Sequence, residues 1–170
     1  IASAYHRRSA MIIVKAARVL ADSVYKDTCP KETAESYEAA AEKYEALSDR
    51  LLQEIRDEYF TPTGRCAVPT QTGFLLALSE ALTTNREKNA EALVRKIDQN
   101  HGKLATGFVG TPLLCPVLTS IGREDIAFDL LLNESYPGWL YEVRSGATTI
   151  WERWNSVMPD GSLSPTGMNS

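Results

Sequence analysis

The stretch of sequence that decides the fold is residues 33–59, TAESYEAAAEKYEALSDRLLQEIRDEY, where apolar side chains recur at every third or fourth position. These positions are Tyr37, Ala41, Tyr44, Leu47, Leu51, Ile55 and Tyr59. Because an α-helix has about 3.6 residues per turn, this spacing gathers them into one stripe and leaves the charged residues on the other faces. The stretch therefore predicts a long amphipathic helix whose apolar stripe packs against another element.

Similar patterns on both sides extend this prediction over most of the chain. Further helices are predicted over residues 3–21, 71–82, 86–100, 112–121 and 124–133. Thr70 is expected to cap the helix that starts at residue 71, and Thr111 the one that starts at residue 112, while Gly122 ends the latter. Six helices joined by short loops make three helical hairpins, so the sequence predicts an all-α fold.

The character of the sequence changes after Pro137. Residues 139–143 and 148–154 are rich in β-branched and aromatic side chains, and Gly146 lies between them. Such runs separated by a glycine are typical of paired strands. Two interpretations remain open for this region, a short β-like hairpin or an irregular loop at an active site.

Composition narrows the classes of partner and cofactor. The chain has 170 residues, 44% hydrophobic and 24% charged, which is enough for one globular domain with a core. A net charge of −4 without a basic run argues against nucleic acid, and no apolar stretch approaches the roughly 20 residues of a membrane span. Cys29, Cys66 and Cys115 lack metal-ligand spacing, so no metal and no cofactor are expected, and only Cys66 is expected to be exposed. The sequence leaves the location of the protein unknown.

The most informative segment for chemistry is residues 146–155, GATTIWERWN, which places one carboxylate, Glu152, between Trp151 and Trp154. Indole faces pack on the apolar faces of sugar rings, and a carboxylate between them can accept a proton from water. The alternative is a core strand with a paired glutamate. In an extended segment Arg153 would point away from Glu152, and one of the two indoles would pack in the core.

A second candidate segment is residues 106–112, TGFVGTP, which lacks the pattern of a phosphate-binding loop. Its glycines, Gly107 and Gly110, allow either a backbone path close to a ligand or close packing between helices. Both interpretations remain open from the sequence.

Four segments, taken in order, carry a resemblance to a known family. They are residues 70–72 (TQT), 106–112 (TGFVGTP), 136–139 (YPGW) and 146–154 (GATTIWERW). Together they resemble the C-terminal half of the catalytic domain of bacterial α-L-rhamnosidases, glycoside hydrolase family 78. The resemblance implies an (α/α)6 barrel of two concentric rings of helices, of which residues 1–170 form a single partial domain.

The same resemblance implies roles for individual residues. Glu152 falls on the general base of an inverting mechanism, and Trp151, Trp154, Thr106 and Phe108 are expected to bind substrate. An inverting hydrolase also needs a general acid, roughly 6.5–9.5 Å from the base. In the family that acid lies in a motif before the first helix of this chain. A family Asn-His-Tyr segment, with a sugar-binding histidine, is expected to follow Asn169 and Ser170.

The resemblance therefore predicts a fragment of a longer hydrolase that is inactive alone. Its expected partners are a rhamnose-containing glycan or glycoside and the remainder of its own catalytic domain. Half a barrel would expose apolar helix faces, so oligomerisation through them is expected.

Two alternatives stay open. One is another (α/α)6 carbohydrate-active enzyme, such as a trehalase-like or debranching-type hydrolase. The other is a non-enzymatic helical scaffold or interaction module, in which Trp139, Trp151 and Trp154 are core or interface anchors. A buried Glu152 at the mouth of a pocket favours the hydrolase, whereas an exposed Glu152, or one paired with Arg153, favours the scaffold.

Overall fold

The computed structural model describes residues 1–22 and 31–164, except the side chain of Glu32. Within these ranges the chain forms seven α-helices, and an isolated β-bridge pairs Val157 with Leu163. The helices are α1 (Ala2–Ala21), α2 (Lys31–Tyr59), α3 (Gln71–Ser79), α4 (Arg86–Gln99), α5 (Thr111–Ser120), α6 (Glu124–Leu131) and α7 (Trp139–Arg144). The predicted all-α fold is confirmed. Cys29, Asn169 and Ser170 lie outside the described residues.

The chain divides into two compact units, residues 1–64 and 65–170. In the first unit α1 and α2 pack along each other. Val14 of α1 and Leu51 and Ile55 of α2 are buried at 1%, 9% and 4% exposure, so part of the predicted stripe of α2 does form a core. The helix begins two residues before the predicted start and ends at Tyr59 as predicted.

The first unit also carries exposed apolar side chains. Ile12 and Val19 of α1 are 57% and 58% exposed, and Leu20 is 40% exposed. Exposed apolar helix faces were expected of a partial barrel. Oligomerisation through them stays a prediction.

In the second unit α3 is the central helix, packed against both α4 and α5. Five consecutive residues, Phe74 to Leu78, are each no more than 5% exposed, so α3 is apolar on nearly every side. Thr70 caps this helix as predicted, because its side chain accepts the Gly73 N–H at 3.0 Å. The helix ends at Ser79, earlier than the predicted residue 82, and Ala81 takes a left-handed conformation with φ of 51°.

The start of α5 differs by one residue from the prediction. Gly110 occupies the N-cap position and Thr111 is the first helical residue, so the expected capping role of Thr111 is wrong. Instead of capping the helix, the Thr111 hydroxyl donates to the carbonyl of Gly107 at 2.9 Å. The predicted stop is confirmed, since Gly122 closes the helix with φ of 72°, a conformation that suits glycine.

The segment 139–143 is the main error of the sequence prediction. It is neither a strand nor a loop, because residues 139–144 form α7. The Ser145 N–H donates to the Tyr141 carbonyl at 2.9 Å, and the Ala147 N–H donates to the Glu142 carbonyl at 3.0 Å. Aromatic packing from this short helix overrides the β-propensity of its residues. For 148–154 the irregular-loop interpretation is right and the hairpin is wrong.

Candidate functional site

A cavity of about 1350 Å³ opens in the second unit. Its walls come from residues 100–112, from the turn before α7 and from residues 150–155. All five predicted site residues line it: Glu152, Trp151, Trp154, Thr106 and Phe108. Tertiary folding thus brings the two candidate segments of the sequence together at one cavity.

Trp154 joins these two segments. Its indole Nε1–H donates to the carbonyl oxygen of Thr106 at 2.6 Å, a residue 48 positions away along the chain. The ring also meets Trp139 edge to face, with centroids 5.3 Å apart and planes at 89°. Edge-to-face contact is a favoured geometry for aromatic pairs. Trp154 is therefore a half-buried wall of the cavity that is also part of its framework.

Thr106 and Phe108 contribute to the cavity in different ways. Thr106 is 3% exposed and its hydroxyl lies 2.9 Å from that of Thr111, so its polar atoms already have partners inside the protein. Phe108 is 83% exposed. Within this segment, Phe108 offers a ligand the apolar surface, while Thr106 holds Trp154 in place.

Trp151 is held by α7. Its ring meets Tyr141 edge to face at 6.4 Å between centroids, and its backbone N–H donates to Oε2 of Glu142 at 3.3 Å. Each of the two indoles on either side of Glu152 therefore contacts an aromatic ring of the same short helix. We expected one of the two indoles to pack in the core. Instead, both rings are half-buried and both line the cavity.

Glu152 itself is exposed and lines the cavity, next to Arg153, which lines it too. The backbone bends here, so neighbouring side chains do not alternate between two faces as they would in a strand. Exposure of Glu152 is the arrangement that the scaffold hypothesis anticipated. The hydrolase hypothesis anticipated a buried Glu152 at the mouth of a pocket, so the position of Glu152 at the cavity agrees with that hypothesis, whereas its exposure does not.

Gln71 fixes the floor of the cavity, a role that the sequence analysis missed. It is 1% exposed; its amide nitrogen donates to the Lys103 carbonyl at 2.9 Å, and its amide oxygen accepts the Ala105 N–H at 2.7 Å. The Gln71 amide thus makes the kind of hydrogen bonds to residues 103–105 that the backbone of a neighbouring strand makes in a sheet. The separation of more than 30 positions left no local signal for this pairing.

Replacing Gln71 with alanine leaves the Ala105 N–H without its partner, while the Lys103 carbonyl keeps the Asn100 amide as a donor. Unsatisfied buried groups cost about 1–3 kcal/mol each, so we expect the free energy of unfolding to fall by about 2 kcal/mol. Urea denaturation followed by circular dichroism measures this. Gln99→Ala, an exposed glutamine at the end of α4, is the control and should change little. Equal effects of the two substitutions would show that Gln71 does not hold this segment.

The two glycines of residues 106–112 differ in their surroundings. A Cβ on Gly110 would lie 2.5 Å from the hydroxyl of Thr72 and 3.1 Å from Cβ of Thr106, so close packing requires glycine there. A Cβ on Gly107 would meet nothing within 4 Å. The packing interpretation therefore applies to Gly110, and open space surrounds Gly107.

Among residues 1–22 and 31–164, no group of three or more His, Cys, Asp or Glu side chains could hold a metal ion. The expectation that Cys66 is exposed is wrong, because the residue is 4% exposed and its backbone N–H donates to the Asn89 side chain at 2.8 Å. Burial raises the pKa of the Cys66 thiol.

Among the helices of residues 1–22 and 31–164, no helix is both long and apolar enough to cross a membrane.

Comparison with known proteins decides the family. The sequence model of one protein family, the bacterial alpha-L-rhamnosidase 6 hairpin glycosidase domain, matches residues 1–170. The chain belongs to this family. Its resemblance to rhamnosidases, inferred from four short segments, is thereby confirmed.

Individual relatives agree with this assignment. The alpha-L-rhamnosidase of Formosa agariphila is 37% identical over 174 residues, which covers 100% of this chain. The crystal structure of Streptomyces avermitilis alpha-L-rhamnosidase complexed with L-rhamnose matches 99% of the chain, with a TM-score of 0.84 and 33% identity. The native Aspergillus terreus enzyme matches 89% of it, with a TM-score of 0.71 and 33% identity.

The same matches show that this chain covers only a small part of the length of these relatives. It spans 17% of the Formosa relative and 15% of the Streptomyces chain. The expected fold, helical hairpins forming part of an (α/α)6 barrel, is confirmed by the structural match.

Proposed function

We propose that this chain is part of an inverting α-L-rhamnosidase that removes terminal α-L-rhamnosyl residues from glycosides or polysaccharides. The observation that carries the proposal is the position of Glu152, a carboxylate at the edge of a cavity of about 1350 Å³ between Trp151 and Trp154. Family membership and the 0.84 TM-score to an enzyme complexed with L-rhamnose support it.

In this proposal Glu152 is the general base. Its carboxylate accepts a proton from a water molecule, which attacks the anomeric carbon on the face opposite the leaving group and inverts the configuration there. An exposed carboxylate suits this step, because it is in contact with water. Trp151, Trp154 and Phe108 provide aromatic surface for the sugar, and Thr106 supports that wall from behind.

The general acid belongs to a part of the enzyme outside residues 1–170. Protonation of the leaving oxygen needs a second carboxyl group across the sugar from Glu152. We propose that residues 1–170 form a single partial domain with that remainder, which covers apolar side chains such as Ile12 and Val19. Alone, the chain has a base without an acid and is inactive; its exposed apolar faces favour homo-oligomers.

The test compares this chain alone with the extended enzyme, meaning the same sequence continued at both ends to the length of its relatives. With 4-nitrophenyl α-L-rhamnoside, we expect turnover by the extended enzyme and none by the chain alone, because only the former holds both carboxyl groups. Proton NMR of the first product should detect β-L-rhamnose. Turnover by the chain alone, or an α-anomer formed first, would contradict the proposal.

A scaffold function is the second candidate, since the exposure of Glu152 matches what that hypothesis anticipated. On this view Trp139, Trp151 and Trp154 are anchors and the carboxylate has no chemical role. The two functions make opposite predictions for a Glu152→Gln enzyme.

A further inference from the structure

Glu142 is a buried acid that neither the sequence analysis nor the proposed mechanism uses. It lies on α7, is 3% exposed, and, apart from Glu32, whose side chain is not described, is the one carboxylate among the buried side chains of residues 1–22 and 31–164. Burying a carboxyl group is costly unless hydrogen bonds or an opposite charge compensate. A residue of this kind therefore calls for a physical explanation.

Two hydrogen bonds tie Glu142 to the loop that carries Glu152. Its Oε2 accepts the backbone N–H of Trp151 at 3.3 Å, and its backbone carbonyl accepts the N–H of Ala147 at 3.0 Å. Its Oε1 is buried with no partner among the described residues. Desolvation by burial raises the pKa of this carboxyl, and the hydrogen bond from Trp151 opposes that effect.

The neighbours of Glu142 on the same helix bind the rest of the loop. Trp139 packs on Trp154, and Tyr141 packs on Trp151 while its hydroxyl donates to the Val157 carbonyl at 3.0 Å. These contacts fix side chains and the far end of the loop. Glu142 adds the hydrogen bond to the main chain at Trp151, directly before Glu152.

We propose that Glu142 is a positioning residue, whose side-chain oxygen anchors the backbone of Trp151 and so sets where the carboxylate of Glu152 lies in the cavity. This inference rests on the proposed function of Glu152 for its effect on catalysis. Displacing a catalytic group by about 1 Å costs on the order of 100-fold in rate, so one hydrogen bond beside the general base has a measurable effect.

Two substitutions in the extended enzyme separate positioning from simple packing. Glu142→Met fills the space but removes the acceptor, so we expect kcat for 4-nitrophenyl α-L-rhamnoside to fall about 100-fold, with far less change in KM. Glu142→Gln keeps an oxygen that accepts the Trp151 N–H, and should retain most of kcat. Glu134→Gln, an exposed acid just before α7, is the control and should behave as the unsubstituted enzyme.

Retention of kcat in Glu142→Met would overturn the proposal, as would an equal loss in Glu142→Gln, because the acceptor oxygen would then not matter. A second measurement does not need activity or the methionine variant. The chain has three tryptophans, so selective ¹⁵N-tryptophan labelling resolves their amides. We expect slowed hydrogen exchange at the Trp151 amide of the unsubstituted chain and of Glu142→Gln; an unprotected amide would count against the bond. This readout holds even if Glu152 proves not to be the base.

Discussion

Replacing Glu152 with glutamine in the extended enzyme is expected to lower kcat for 4-nitrophenyl α-L-rhamnoside by about 10²–10⁴-fold. Glutamine has nearly the same shape but cannot accept a proton from water, and general base catalysis contributes about that factor. KM should change little, because the aromatic walls formed by Trp151 and Trp154 remain. Steady-state kinetics of the purified variant provides the measurement.

The control for this experiment is Glu91→Gln. Glu91 is also an exposed glutamate of the second unit, but it lies on α4, where its carboxylate meets Arg95 at 3.2 Å, and it does not line the cavity. Its substitution should leave kcat unchanged. If Glu152→Gln also retained full kcat, the base would lie elsewhere, and the scaffold interpretation of this segment would be the better one.

Replacing Trp154 with alanine is expected to lower the free energy of unfolding by about 3 kcal/mol, near the lower end for loss of a large aromatic side chain because the ring is only half-buried. The substitution removes the contact with Trp139 and the hydrogen bond to the Thr106 carbonyl. Trp154→Phe keeps a ring but loses the N–H donor, so its cost should be about 1 kcal/mol. Urea denaturation of the chain followed by circular dichroism distinguishes the two.

Phe108→Ala is the matched control, because Phe108 is an aromatic residue at the same cavity but is 83% exposed. Its removal should change stability by no more than about 0.5 kcal/mol. In the extended enzyme both alanine variants should raise KM, since each removes aromatic surface proposed to bind the sugar. Equal losses of stability at Trp154 and Phe108 would show that Trp154 is not part of the cavity framework.

Short-range patterns made much of the fold predictable. Apolar residues spaced three or four apart placed six of the helices, because burial of one face imposes that period on the sequence itself. Caps and stops such as Thr70 and Gly122 were equally visible, since they satisfy backbone groups within a few positions. Where the pattern was short and rich in β-branched and aromatic residues, at 139–143, the prediction of structure was wrong.

The candidate site was predictable only in part. The segment 146–155 drew attention to Glu152 and its two indoles, and the family resemblance joined it to 106–112. The exposure of Glu152 and the burial of Glu142 were not visible, although both are glutamates beside aromatic residues. Which of two similar side chains is buried depends on what packs over it, and that comes from elsewhere in the chain.

By itself, the sequence determined six of the seven described helices, the Thr70 cap and the Gly122 stop, because those features depend on neighbours a few positions away. Only the tertiary structure decided that Trp154 bonds to Thr106, that Gln71 holds residues 103–105, and that Glu142 binds the backbone of Trp151. Each of these contacts satisfies a polar group with a partner from a separate segment. Local periodicity carries no record of such pairings, which arise only when the segments fold together.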